Sequence, residues 1–385
     1  MSVVIAGYAR TPFVKYCGAF ARVPATALGA HAAAAALERA AIAPDRVDAV
    51  VAGQVLQGGA GQNPARQSAV GAGIPMTVPA STLNVVCLSG TEAVAQGARL
   101  IAAGEAEVVL AIGQESMTLA PHAYVGSRMG ARYGAIEMLD TLAHDGLTDA
   151  FEHRAMGAST EEHSERYSLT REEQDAWAAE SHRRLAASLE FQAEEIAPLT
   201  SPRADDAVVA DDGLRAGTTV ESLARLRPAF GGRGTITAGN ASQISDGAAA
   251  IVLAREGLVE NPLARVLSWA LVAGPDVSLH TQPANAARAA LARAGRAVED
   301  VAAFEISEAF AAVSLASTRA LAVDPAIVNV HGGAIALGHP IGASGTRIVG
   351  TVARTAALSG PGALGVAAIC GGGGQGSAVV VEALR

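Results

Sequence analysis

The chain has 385 residues, half of them hydrophobic and 17% charged, enough to bury a large core and unlike the composition of a disordered segment. Its 37 acidic residues outnumber 28 basic ones, giving a formal net charge of -9, which excludes a global nucleic-acid footprint but leaves room for a local basic groove. Only Lys15 among the basic residues is a lysine, and the cysteines Cys17, Cys87 and Cys370 are odd in number and far apart, so neither a disulfide framework nor a metal site is expected.

In chain order, Val3–Ala6 predicts a short buried strand and the alanine-rich run Ala25–Ala41 a helix closed by Pro44. Val50–Val55 and Val108–Gly113 are apolar without strict alternation, as in strands covered on both faces. From Ser116 to about Phe230 the chain turns polar and holds five of the nine histidines, with a helix over Arg171–Leu189, which suggests an insertion over an apolar core. Apolar patterning resumes at Ile244–Leu253 and Ala264–Ala273. It continues with a helix Ala284–Ala294, a strand Val301–Ile306, a helix Ala309–Leu321 and a strand Ile327–Val330, then alternates glycine turns with valine strands to Val381. Neither a basic segment followed by an apolar run at the start nor about 20 uninterrupted apolar residues anywhere is present, so a cytoplasmic protein with no membrane contact is expected.

Three positions carry chemistry. Cys87 lies where a short apolar run meets Ser89 and Gly90 ahead of a long helical pattern, and helix N-terminal amides there favour a thiolate. By itself this setting also suits a buried small hydrophobe. His339, flanked by Gly338 and Pro340, is a proton carrier or a histidine in a rigid turn, with His331 opening the same segment. Cys370 ends the apolar run Leu364–Ile369 and precedes Gly371 to Gly374, whose main-chain N–H groups suit an oxyanion-binding turn. That run lacks the lysine and the following helix of a phosphate-binding loop, and Gly342–Arg347 is no complete dinucleotide fingerprint. A nucleophilic sulfur with a second thiol as acid or base accounts for the set.

Taken in order, NVVCLSG around Cys87, GQESM at Gly113–Met117, DGLTDAF at Asp145–Phe151, RPAF at Arg227–Phe230, TAGNASQISDGAAA from Thr237, SEAFA at Ser307–Ala311, GGAIALGHPIGASGTR from Gly332 and CGGGGQG from Cys370 resemble the thiolase family across essentially the whole chain, most closely its bacterial acetyl-CoA acetyltransferases. The resemblance implies an α/β thiolase fold of two similar layered α-β-α-β-α core domains. Residues 1–115 plus 245–262 would form the N-terminal one and 263–385 the C-terminal one, with 116–244 an inserted loop domain that covers the active site and binds CoA. It implies ping-pong chemistry with coenzyme A and acyl-CoA as substrates and no permanently bound cofactor. Cys87 would be the nucleophile, His339 its base and Cys370 the acid and base for the second half-reaction. The backbone N–H groups of Cys87 and Gly372 would form one oxyanion hole, and His339 with a water anchored at Ser307 the other. On the CoA side it places Leu147, Met156, Ser242, Ala309 and Phe310 along the pantetheine, with Arg215 and Phe230 near the nucleotide. A homo-oligomer, dimer or tetramer, is the implied partner arrangement.

Three positions depart from the family pattern: Ser307 stands where asparagine is usual, His331 opens the usual NGG, and Ala155 replaces a histidine before Met156. Serine retains hydrogen-bonding capacity on a shorter side chain, which bears on reaction efficiency and preference. The competing readings are a longer-chain 3-ketoacyl-CoA thiolase, an acyl-CoA-binding subunit without catalysis, and acyl transfer to a non-CoA nucleophile.

Overall fold

The computed structural model describes residues 1–202, 206–232 and 234–385. The chain opens with β1 (Val3–Arg10), β2 (Val14–Lys15), α1 (Ala25–Arg39), β3 (Ala49–Gly53), α2 (Pro64–Gly71), β4 (Ala80–Leu83), α3 (Ser89–Ala103) and β5 (Val108–Ser116). A segment rich in loops follows, containing β6 (His122–Ala123), β7 (Leu139–Asp140), α4 (Met156–Ser164), α5 (Arg171–Ala186), α6 (Leu189–Glu195) and α7 (Val220–Leu223). The remainder is β8 (Ser245–Arg255), β9 (Ala264–Ala273), α8 (Gln282–Ala294), β10 (Val301–Ile306), α9 (Ala311–Leu321), α10 (Ala334–Leu337), α11 (Ser344–Leu358), β11 (Leu364–Gly371) and β12 (Gln375–Ala383).

Two halves share one plan. In the first, β3 pairs parallel with β5, β5 antiparallel with β8, and β8 antiparallel with β1. In the second, β10 pairs parallel with β11, β11 antiparallel with β12, and β12 antiparallel with β9. A short antiparallel ladder, Val3↔Val266 to Ile5↔Ala264, joins them edge to edge. The order of layers is α1 and α2, the first set of strands, α3 with α11, the second set, and α8 with α9. This is the α/β class of two similar layered domains.

Strand alternation explains the layering. Along β8, Ile251 and Leu253 join Val94, Ile101, Ile348 and Val352 in the central core, whereas Ala250 and Val252 face Leu28 and Leu37 of α1. Along β12, Val379 and Val381 face inward and Ala378 and Val380 pack with Leu291 of α8. Both faces of each strand are therefore apolar, the condition the sequence pattern suggested, and each fully buried Leu or Ile contributes on the order of 2 kcal/mol. Close approach of α3 and α11 depends on glycine: a Cβ at Gly90 would lie 2.4 Å from Thr346 N, and one at Gly345 would lie 2.3 Å from Thr91 N.

Several expected boundaries move. No strand forms over 327–330, because Asn329 takes a left-handed φ of 50° and its carboxamide, not a continuing main chain, satisfies both Ile306 N and Ile306 O at 2.8 Å. The helix expected from Ala309 begins at Ala311, since the Ala309 carbonyl accepts from Ser242 N at 3.0 Å and Phe310 is extended, bridging Ala241. The helix over 171–189 starts in a Thr170/Glu173 capping box and breaks after Ala186 into α6. The strand at Val50 stops at Gly53, where a Cβ would strike the Ser89 backbone at 2.5 Å, so this glycine admits the start of α3.

Candidate active site

Cys87 sits on a constrained turn between β4 and α3. Val86, a β-branched residue, has φ 52°, which costs energy unless the surroundings impose it. The surroundings do: Val86 N donates to Asn84 Oδ1 at 2.9 Å, Val85 N to Ser89 Oγ at 2.9 Å, and the Ser89 hydroxyl to Val86 O at 2.6 Å. The result presents Cys87 just before the N-terminus of a fifteen-residue helix. Burial pushes its thiol up to about 12, with the Glu115 charge adding to the effect, so the free thiol is neutral and needs a base.

His339 supplies an acceptor in the same cavity. Its main chain is fixed by a bond from His339 N to Gln243 O at 2.9 Å. Its Nδ1 lies 2.7 Å from Ser344 Oγ, and the Ser344 hydroxyl donates to Pro340 O at 3.0 Å. Ser344 has thus spent its proton on the carbonyl, so Nδ1–H is the donor and Nε2 carries the lone pair. That Nε2 is buried and has no hydrogen-bond partner among the described residues. Burial, helped by the Arg347 charge, lowers the imidazole to about 4, which keeps it neutral and able to accept a proton near pH 7. Sequence reasoning missed Ser344, although its position at the first turn of α11 in the quoted GASGTR stretch was a usable signal.

Cys370 lies within the β11–β12 ladder opposite Gly376, and the turn beyond it is all glycine. Gly373 and Gly374 have φ of 76° and 68°, and a Cβ on Gly374 would lie 1.9 Å from Asp276 O. Burial raises the Cys370 thiol, and the charge of Cys87 raises it further, so the two sulfurs act on one another. Ser307 is fully buried, its N bonded to Ala368 O at 2.9 Å, and its hydroxyl has no partner among the described residues.

A cavity of about 650 Å³ gathers these parts. Cys87, His339 and each expected CoA-side residue, Leu147, Met156, Arg215, Phe230, Ser242, Ala309 and Phe310, line it. Cys370, Ser307 and Gly372 lie outside that lining, although a Cβ on Gly372 would come 3.5 Å from Val86 and 3.7 Å from Met156, next to the turn that carries Cys87. Met117, Ile341, Met156 and the edge-to-face pair Phe230–Phe310, with centroids 6.3 Å apart, make the wall largely apolar. Arg215 also borders an adjoining hollow of about 330 Å³, and its backbone N bonds to His182 Nδ1 at 3.3 Å. Gly157 went unnoticed in the sequence: a Cβ there would fall 2.2 Å from the Phe230 ring, so this glycine seats the aromatic wall. His331, expected near the site, borders another hollow, where it stacks on Phe191 at 3.6 Å and bonds to Ser188 Oγ at 3.0 Å.

Among the described residues no cluster of potential metal ligands occurs, and no helix is long and apolar enough to cross a membrane. Family models for the thiolase N-terminal and C-terminal domains match residues 3–257 and 260–383. The chain belongs to the thiolase family. A relative named probable acetyl-CoA acetyltransferase from Mycobacterium tuberculosis is 50% identical over 99% of both chains, and an acetyl-CoA acetyltransferase from Pseudomonas aeruginosa is 46% identical over 98% of both. The crystal structure of human mitochondrial 3-ketoacyl-CoA thiolase superposes with a TM-score of 0.94 at 36% identity, covering all of this chain and 99% of that one. The protein is accordingly a thiolase-family enzyme, an acyltransferase.

Proposed function

We propose that this thiolase is an acetyl-CoA C-acetyltransferase, interconverting two acetyl-CoA with acetoacetyl-CoA and CoA. The observation that carries the reading is the unpaired His339 Nε2 in the cavity that holds Cys87. Nε2 takes the Cys87 proton as sulfur attacks the thioester carbonyl; the carbon–sulfur bond to CoA breaks, and CoA leaves with a proton returned by the imidazole. Cys370, its own proton given up to solvent, then removes the α-proton of a second acetyl-CoA, and the enolate carbon attacks acetyl-Cys87, giving acetoacetyl-CoA and a Cys87 thiolate that takes a proton back from solvent. The charge on each oxygen meets its own donors, Cys87 and Gly372 N–H for one and, for the other, a Ser307-anchored water with His339 whenever its Nε2 carries a proton. The unpartnered Ser307 hydroxyl supports that last role, and the apolar wall ending at Arg215 supports a CoA thioester lying beneath the inserted segment 116–244.

The names of the relatives at 46–50% identity favour the short-chain reaction, while the human mitochondrial structure keeps a longer-chain 3-ketoacyl-CoA thiolase as the alternative. Cleavage of acetoacetyl-CoA and of longer 3-ketoacyl-CoA thioesters by CoA separates them. Rapid turnover of only the shortest substrate is expected; preference for longer chains replaces the assignment. We also propose a homo-oligomer in the cytoplasm. An arm between β6 and β7 presents Val125, Met129, Tyr133, Ile136 and Met138 to solvent, an apolar surface suited to a second copy, and three unpaired cysteines suit a reducing compartment. Sedimentation of the full chain tests the first of these, with a monomer overturning it.

A further inference from the structure

Glu115, within the GQESM stretch, is fully buried near the end of β5 and makes no ion pair among the described residues. A buried carboxylate without a cation is costly unless hydrogen bonds replace the lost water. Three backbone donors do so. Val55 N and Gly342 N each donate to Oε2 at 3.0 Å, and Leu56 N donates to Oε1 at 3.2 Å. Val55 and Leu56 follow β3, whereas Gly342 is three residues beyond His339 and two before Ser344, the residue that orients the imidazole. Gly342 must be glycine for this contact, since a Cβ there would lie 2.8 Å from Glu115 Oε2 and 2.6 Å from Gln114 O. Leu56 and Ile341, on the two tethered loops, both pack where a Cβ on Gly146 would be, beside the cavity.

We infer that Glu115 is a positioning residue of the proposed reaction, a buried carboxylate that ties the loop bearing His339 to the loop after β3, whose Val55 and Leu56 share one buried cluster with Cys87. Burial raises the Glu115 carboxyl to about 7, opposed by the three N–H bonds and reinforced by the Asp246 charge. Asp246 and Cys87 both couple to its charge. As Glu115 ionises on going upward through neutral pH, it makes the Cys87 thiolate harder to form, while retaining the tether that holds the base.

The inference rests on Cys87 being the nucleophile, and it is tested by alkylating Cys87 with iodoacetamide from pH 5.5 to 10, read by mass spectrometry of the Cys87 peptide, alongside acetoacetyl-CoA cleavage. In the unaltered enzyme the alkylation profile should show an inflection near pH 7 in addition to the thiol ionisation. Glu115→Gln, which keeps the length but not the charge, should abolish that inflection and speed alkylation several-fold at pH 8. Glu115→Asp, which keeps the charge but shortens the reach, should retain the inflection and lower kcat about tenfold with KM within twofold. Profiles that superimpose for the unaltered enzyme and Glu115→Gln, or an Asp variant with full kcat, overturn the inference. If a variant does not fold, the unaltered enzyme decides, because an alkylation profile with no inflection near pH 7 also overturns it. Acetoacetyl-CoA cleavage by Cys87→Ala would instead sink the nucleophile assignment, a result distinguishable from either of these.

Discussion

The two halves of the core carry the same chemical group in different mechanical settings. In the first, Cys87 stands on a turn forced into a left-handed conformation at Val86 and held there by Asn84 and Ser89, ahead of α3. In the second, Cys370 is a rung of a regular antiparallel ladder, with conformational freedom confined to the glycines beyond it. Both thiols are driven upward by burial, so neither is a standing thiolate. The difference lies in what accompanies them: a helix N-terminus and the open Nε2 of His339 share the cavity with the first, whereas the second is packed with Leu279, Ala309 and Val313 behind it. Equal residues in matching halves are thus given unequal tasks by backbone and neighbours.

Removing each sulfur separately sharpens that contrast most. Cys87→Ala should abolish the acetyl-enzyme and lower turnover by about 10³-fold or more, since no other thiol among the described residues lines the cavity where the thioester would lie. Cys370→Ala should lose about 10²–10⁴-fold in condensation, the range for a general base, while still exchanging labelled CoA into acetyl-CoA. The contrast breaks if both variants lose exchange equally in an isotope-exchange assay.

A smaller effect tests whether the segment between β5 and β8 shapes the site. Gly157 on α4 permits Phe230 to pack against the helix backbone, and Phe230 in turn meets Phe310 edge to face. Gly157→Ala should push the Phe230 ring toward the cavity, an overpacking cost of about 1–3 kcal/mol. On the order of a 30-fold rise in KM for CoA with kcat changed less than threefold is expected from steady-state thiolysis. An unchanged KM would mean that the ring relaxes away from the ligand.

Much of this architecture was legible because apolar runs of strand length, separated by helix-length alanine-rich segments, admit few arrangements other than covered sheets. Val108–Gly113 and Val301–Ile306 are examples where local pattern and burial coincide. Pattern failed at 327–330, where a β-rich run is interrupted by one asparagine whose side chain does the work of a strand partner. In the site, the motifs pointed to Cys87, His339 and Cys370 through resemblance rather than spacing. Gly157 and Glu115 stayed hidden because their importance lies in a 2.2 Å clearance and a tether between segments more than 200 residues apart, neither of which has a local signature, and Ser344 because only its place at a helix start, not the tautomer it sets, shows in the sequence.

The smallest predicted effect concerns how the segment between β5 and β8 is fastened behind Cys370. His280 follows Leu279, which packs on Cys370, and its ring bonds to Ser164 Oγ at 2.8 Å and Ser278 Oγ at 3.2 Å while stacking on Tyr167 at 4.5 Å. Burial, with the nearby His163 charge, lowers this imidazole from 6.5 to about 4. Above pH 6.5 neither folded nor unfolded His280 carries the proton, so it adds no pH dependence. Between 6.5 and 4 only the unfolded state binds it, so stability falls as pH falls, and below 4 the loss levels off. The Glu115 and Glu305 carboxyls, raised to about 7, work oppositely, losing stability as pH rises from 4.5 to 7, but they are common to both proteins compared and cancel. His280→Gln should therefore be less stable than the unaltered chain at pH 7.5, with the gap narrowing by about 1.4 kcal/mol at pH 5.5 in urea unfolding. A gap that widened toward pH 5.5 would mean that His280 is protonated in the fold, and the segment would then be fastened by a charge rather than by a neutral hydrogen-bonded ring.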